Sequence, residues 1–256
     1  MNRTLHAEWT KLRTVPSTLW LLLGTVAATV ALSAAWAESF DVSRCPDTGG
    51  CVVDLTQVSL TGVQLGQATV AILAMLSITN EYGTRMICTT LATEPRRFVV
   101  LLCKAGVVVG TVLAASVLGV AGSLLASRSI LTGNGFSPFS LVEGPTLRAA
   151  AGSVLYLGLI ALLSLGVGTA VRDTAGAITT ILALLYVAPL ATSAITDQRW
   201  RDWLDRLAPT NAGRAIQATI GLDELPIGPW AGLGVLAAWA GAAMLLGALL
   251  FTIRDA

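Results

Sequence analysis

Six runs of apolar residues divide the chain, at 17–37, 60–79, 105–125, 149–171, 174–196 and 230–253. Each matches the roughly 20 residues that an α-helix, rising about 1.5 Å per residue, needs to cross the hydrocarbon layer. The third reads as part of a longer helix over about 98–125, its charge-free portion starting after Lys104. No acidic or basic side chain interrupts the six runs. A charge at the bilayer centre costs at least ~2.5–3.5 kcal/mol on insertion scales. The pattern predicts an all-α integral membrane protein with six transmembrane helices, residues 1–256 forming one membrane domain.

Two shorter stripes lie outside these runs. Leu5, Trp9 and Leu12 recur at i, i+4 and i+7, with Arg3, Glu8, Lys11 and Arg13 off the stripe. That spacing predicts an N-terminal amphipathic helix in the membrane interface, with Trp9 at headgroup depth, after which Pro16 turns the chain inward. Trp200, Trp203, Leu204 and Leu207 form a second stripe, opposite Arg201, Asp202, Asp205 and Arg206. It predicts an outer interfacial helix before the last span, with Pro209, Pro226 and Pro229 breaking the rest of that loop into turns. Pro189 breaks the fifth run. Between the second and third runs, residues 80–97 read as a short helix closed by Pro95, too long for a mere crossing and suited to docking a soluble partner. Arg172-Asp173 makes a tight hairpin. Gly62, Gly66, Gly106, Gly110, Gly119, Gly122, Gly158, Gly166 and Gly168 predict close helix packing.

Composition removes the soluble alternatives. Only 12% of residues are charged, against about a quarter in soluble domains, and the mean hydropathy is +0.74. A net charge of +1 argues against nucleic-acid binding. With the N-terminus inside, the inner segments hold nine basic and five acidic residues and the outer ones seven and ten. The positive-inside rule therefore predicts both termini in the cytoplasm of a multi-pass protein. The first run outlasts a signal-peptide core and is followed by another span, so it reads as retained. Cys45 and Cys51 sit in the acidic first outer loop, where a disulfide is expected and two free thiols are the alternative. Cys88 and Cys103 lie on the reducing side. With His6 the only histidine, no metal site is expected. Neither a GxxxxGK[ST] run nor HExxH or GxSxG is present, so the chain is expected to be no enzyme and to bind no cofactor itself. A neutral midplane with no ATP cradle predicts a passive body driven from outside.

The residues also resemble a family. Ala7-Glu8-Trp9-Thr10-Lys11-Leu12-Arg13 is similar to the opening of actinobacterial ATP-binding-cassette (ABC) permeases of the type-2 exporter class. The 81–97 segment, Arg172-Asp173-Thr174-Ala175-Gly176-Ala177 and Leu207-Ala208-Pro209-Thr210-Asn211-Ala212-Gly213 resemble further signatures of that class, in the same order. The resemblance implies the permease subunit of an ATP-driven exporter in a bacterial cytoplasmic membrane. It would pair with a second permease, identical or paralogous, over two ATPase subunits that hold ATP and Mg. It makes 80–97 a coupling helix, with Glu81, Tyr82, Gly83, Thr84, Met86, Thr89, Glu94, Pro95, Arg96 and Arg97 as coupling residues. Leu5, Trp9, Lys11 and Leu12 would serve the interfacial helix. The second and fifth helices would line the permease seam, making Gln64, Gln67, Thr69, Thr179, Thr180 and Tyr186 candidate cavity residues, with helix–helix hydrogen bonding as their alternative role. The expected cargo is amphipathic or hydrophobic. The alternative function is a non-transporting membrane sensor or scaffold that recruits a soluble partner through 80–97.

Overall fold

The computed structural model describes residues 2–40, 53–84, 86, 97–137 and 140–253. The predicted Cys45–Cys51 disulfide, Cys88, Thr89, Glu94, Pro95, Arg96 and the side chain of Arg97 lie outside these residues, as does most of the predicted coupling helix.

Every regular element among the described residues is helical, and six helices are long and apolar enough to cross a membrane. In chain order the elements are α1 (Asn2–Thr14), α2 (Pro16–Glu38), α3 (Leu55–Ser59), α4 (Val63–Gly83), α5 (Arg97–Gly133), α6 (Gly144–Val171), α7 (Thr174–Leu182), a π-helical turn (Ala183–Val187), α8 (Ala188–Ser193), α9 (Gln198–Leu207), α10 (Pro209–Arg214), two 3-10 turns (Ala215–Gln217 and Leu222–Glu224) and α11 (Pro229–Ile253). The spans are α2, α4, α5, α6, the α7–α8 rod and α11. An even number of crossings brings α1, the far end of α4 and the end of α11 to one face, called here the terminal face.

Local chemistry sets the joints. Val15 is extended and Pro16 opens α2, so the interfacial helix stops where proline forbids a preceding helical residue. Arg172 ends α6 in the left-handed region at φ 63°, and Asp173 caps α7 by accepting from the Gly176 N–H at 2.6 Å. Within the fifth span, Pro189 has no N–H to offer the Leu185 carbonyl. The chain answers by widening rather than breaking: Ala188 N–H reaches back five residues to Ala183 O.

α6 lies at the centre, in contact with α4, α5, α7 and α11. Tyr156, Leu157, Ile160 and Leu163 on α6 are buried with Leu73 and Met75 of α4 and Leu236 of α11. Close approach depends on glycine at particular crossings. A methyl at Gly62 would fall 1.9 Å from the Thr29 carbonyl oxygen, and one at Gly166 2.5 Å from the Ala243 backbone. Of the nine glycines expected to pack, Gly106 and Gly110 have no such neighbour within 4 Å. They lie on faces of α5 that no other described helix covers at that range.

The last loop corrects the expectation of turns. Pro209 opens α10, and Ala215–Gln217 continues it as a tight 3-10 turn. This segment plunges into the bundle, with Thr210, Ala212, Ile216 and Gln217 all 2% exposed or less. Gly213 lies on the ring of Tyr156, and Gly232 of α11 sits against the Ala212 carbonyl. Small residues at 212, 213 and 232 let a short helix fit where a loop was expected. Asp54, at the start of α3, holds the segment's exit by accepting from Thr219 Oγ1 at 2.7 Å and Ile220 N–H at 3.1 Å. α9 carries its tryptophan stripe as predicted, with Trp200 and Trp203 60% and 55% exposed and edge-to-face at 6.1 Å.

Candidate functional site

At the terminal face, four charged side chains from three helices meet. Glu8 and Lys11 come from α1, Glu81 from the last turn of α4, and Lys104 from the second turn of α5. Lys104 Nζ lies 2.6 Å from Glu8 Oε2 and 2.9 Å from Glu81 Oε1, and it donates a third bond to the Ser77 carbonyl at 3.2 Å. Lys11 Nζ lies 2.8 Å from Glu8 Oε1 and 2.9 Å from Glu81 Oε1. Glu8 and Lys104 are each 3% exposed and Glu81 6%. Two positive and two negative charges cancel, the condition under which burying them is tolerable.

The apolar pattern left the surroundings of these charges open. Glu8, off the apolar stripe of α1, faces inward between two lysines. Lys104, ahead of the charge-free part of the helix predicted over about 98–125, lies in a 37-residue helix and sits among buried groups. α4 likewise continues beyond the predicted end at 79 and carries Glu81 within it. The electrostatics follow the geometry. Burial alone would raise the Glu8 carboxyl, but Lys104 and then Lys11 outweigh it and hold the pKa below the usual 4.5. Burial would lower Lys11, but Glu8 and Glu81 reverse that and raise it above 10.5.

Tyr82, the next residue, points the other way. Its ring lies under the Arg172 guanidinium at 5.2 Å and meets Phe251 edge-on at 6.4 Å and 88°. Arg172 also donates to the Leu250 carbonyl at 3.1 Å. Glu81 thus ties the end of α4 to α1 and α5, while Tyr82 ties it to the α6–α7 turn and α11. α1, α5, the α6–α7 turn and α11 are thus all fastened to two consecutive residues, at the start of the segment predicted to dock a partner.

A cavity of about 360 Å³ opens beside the cluster between α1, α2 and α4. Leu12, Val15, Leu21, Leu73 and Leu76 form its apolar wall, and Glu81, Lys11 and Lys104 its charged end. Met86 also reaches it and is 45% exposed. Of the other predicted coupling residues, Gly83 is the last residue of α4, and Thr84 caps the helix, its hydroxyl donating to Asn80 O at 2.7 Å. On α1, Leu5 and Leu12 are half-buried, while Trp9 is 49% exposed on the outer surface.

The candidate cavity residues divide. Thr69 bonds Thr25 of α2 at 2.8 Å, and Gln67, buried, accepts from the Tyr156 hydroxyl. Both make hydrogen bonds between helices of this chain. Gln64 and Tyr186 are half-buried at the opposite end of the bundle, the Tyr186 hydroxyl donating to the Gln64 carbonyl. The Gln64 amide oxygen accepts from Arg214 at the end of α10, in the orientation that satisfies both amide atoms. Thr179 and Thr180 are exposed and return their hydroxyl protons to Ala175 O and Gly176 O. Sequence reasoning missed Arg214, which no periodicity marks. Burial holds its pKa below the usual arginine value.

Cys103 is buried and unpaired, and among the described residues no group of three or more His, Cys, Asp or Glu side chains could hold a metal ion. No protein-family model matches the chain, and no curated protein does.

Proposed function

We propose that this multi-pass membrane protein is the permease subunit of an ATP-driven ABC exporter, lodged in a bacterial cytoplasmic membrane with both termini in the cytoplasm. The observation that carries the reading is the double fastening at the end of α4. Glu81 and Tyr82 lock α4 to α1, α5, the α6–α7 turn and α11, so a push on the segment that follows moves the bundle as a body. Rigid-body rotation about an interface is a standard route by which a local push becomes a change of access. The motif resemblance supplies the source of the push, two ATPase subunits that bind ATP and Mg, and the second permease that completes the path. Exposed Thr179 and Thr180, with Gln64 and Tyr186, face where such a partner would pack. An amphipathic or hydrophobic cargo suits so neutral a midplane.

Co-expression with candidate ATPases, purification in nanodiscs and assay of ATP hydrolysis and cargo movement test the proposal. Substituting Tyr82→Ala should leave ATPase attachment intact and lower cargo movement per ATP by tenfold or more, because the push no longer reaches α6, α7 and α11. Full-rate transport by the isolated chain without any ATPase would refute it. Recruitment of a soluble partner with no transport would favour the sensor or scaffold.

A further inference from the structure

We propose that the groove between α1, α2 and α5 holds an anionic glycerophospholipid, its acyl chain along the two spans and its phosphate at Arg13. Two cavities, of about 340 and 400 Å³, open on this side of the bundle. They share Trp9, Leu19, Leu22 and Thr111 as lining residues and so form one groove. It follows α2 from Pro16 to Val26, about 15 Å at the helical rise, which is half of the ~30 Å hydrocarbon layer and so the depth of one leaflet. The α5 side is lined by small residues, and a methyl built at Gly110 meets nothing within 4 Å. Leu19, Leu23 and Leu118 along the groove are each more than half exposed. Within a span, hydrocarbon is what covers such side chains.

Charge decides which lipid. Among the described residues that line the groove, Arg13 alone is charged. It stands three residues before Pro16 opens α2, at the membrane end of the interfacial helix. Arg13 is exposed and makes no ion pair with any described residue, whereas Glu8 and Lys11 are drawn into the neutral cluster with Glu81 and Lys104. The hydroxyls of Thr14 and Thr111 donate to backbone carbonyls of their own helices, which leaves the guanidinium as the strongest donor at this end. Its planar fork matches a phosphate in two hydrogen bonds at once. A headgroup of net negative charge answers it, whereas phosphatidylcholine sets a trimethylammonium beside its own phosphate. The inference does not rest on the transport reading, because lipid binding needs no ATPase.

The test uses the full chain in phosphatidylcholine nanodiscs that carry a trace of phosphatidylglycerol or phosphatidylcholine, each tagged with a diazirine on the same acyl chain. After photolysis, mass spectrometry reads the label on the α2 and α5 peptides of the groove. Tagged phosphatidylglycerol should label them about fivefold more than tagged phosphatidylcholine, the scale of one basic side chain beside an anionic lipid. Arg13→Gln should bring that ratio to about one, and Arg13→Lys, which keeps the charge, should retain most of it. Gly110→Leu puts a side chain into the open slot at a helical position and should also abolish the preference, so depth and charge are tested apart. Equal labelling by the two lipids on the native chain would overturn the proposal, as would a preference that survives Arg13→Gln or Gly110→Leu. Protection of the groove peptides from both probes, with the chain dimeric in the nanodisc, would seat a second copy there and overturn it too.

Discussion

Replacing Lys104 by methionine keeps a flexible unbranched side chain, one atom shorter, and removes its charge and donors. Two carboxylates, 3% and 6% exposed, would then share Lys11 alone. Breaking a buried pair by deleting one partner costs about 3–5 kcal/mol, because a charge is left uncompensated. The native lysine makes two contacts below 3 Å and is almost fully enclosed, so the upper half of that range is expected. Unfolding by sodium dodecyl sulfate in mixed micelles, followed by tryptophan fluorescence, measures the loss. Glu8→Gln combined with Lys104→Met leaves one lysine facing one glutamate and restores neutrality. The double variant should therefore be less destabilised than the sum of the singles, by 2 kcal/mol or more on the scale of coupling within a network. If K104M unfolds within about 0.5 kcal/mol of the parent, as a surface change would, the cluster does not hold the terminal face together.

Other outcomes follow from the same geometry. Because the folded Glu8 carboxyl lies below its usual 4.5, its stabilisation is full above that pH and is lost as pH falls through the depressed value. Lys11, raised above 10.5, contributes fully below that pH and loses its contribution as pH rises through the raised value, and a stability profile across both limits reads the two arms. Gly232→Ala should destabilise by about 1–3 kcal/mol through overpacking, since its methyl would come 1.9 Å from the Ala212 carbonyl oxygen. Gly110→Ala, with nothing within 4 Å, should be neutral or stabilising by about 0.5–1 kcal/mol from helix propensity alone. Asp54→Ala removes the acceptor for Gln57, Thr219 and Ile220, and hydrogen exchange should rise at 218–220 and at the start of α3 while the centre of α6 stays protected.

Much of the frame was legible because one force writes it. Apolar runs of bilayer length announce spans, and proline at 16 and the Arg172-Asp173 pair announce joints, since both act within a few residues. The i, i+4, i+7 spacing revealed α1 and α9 for the same reason. Glu8 and Lys11 were visible as a pair one turn apart, but nothing local says that they face inward. Their inward turn depends on Lys104, 96 residues away along the chain from Glu8. Proline at 209 read as a breaker because its other use, opening a buried helix, shows only when Tyr156 and Gly232 are seen to make room. Gln64 and Gln67 looked equivalent, yet one reaches Arg214 and the other Tyr156.

Hydrophobic patterning by itself determined that this chain is a helical, multi-pass membrane protein, because burial of backbone polar groups in lipid leaves few other solutions for such a composition. The tertiary structure alone decided which charges are buried, which glycines bear contacts and where the last loop re-enters the bundle. The physical reason is range: propensity and periodicity act over one or two turns, whereas charge pairing and close packing depend on which distant helices become neighbours.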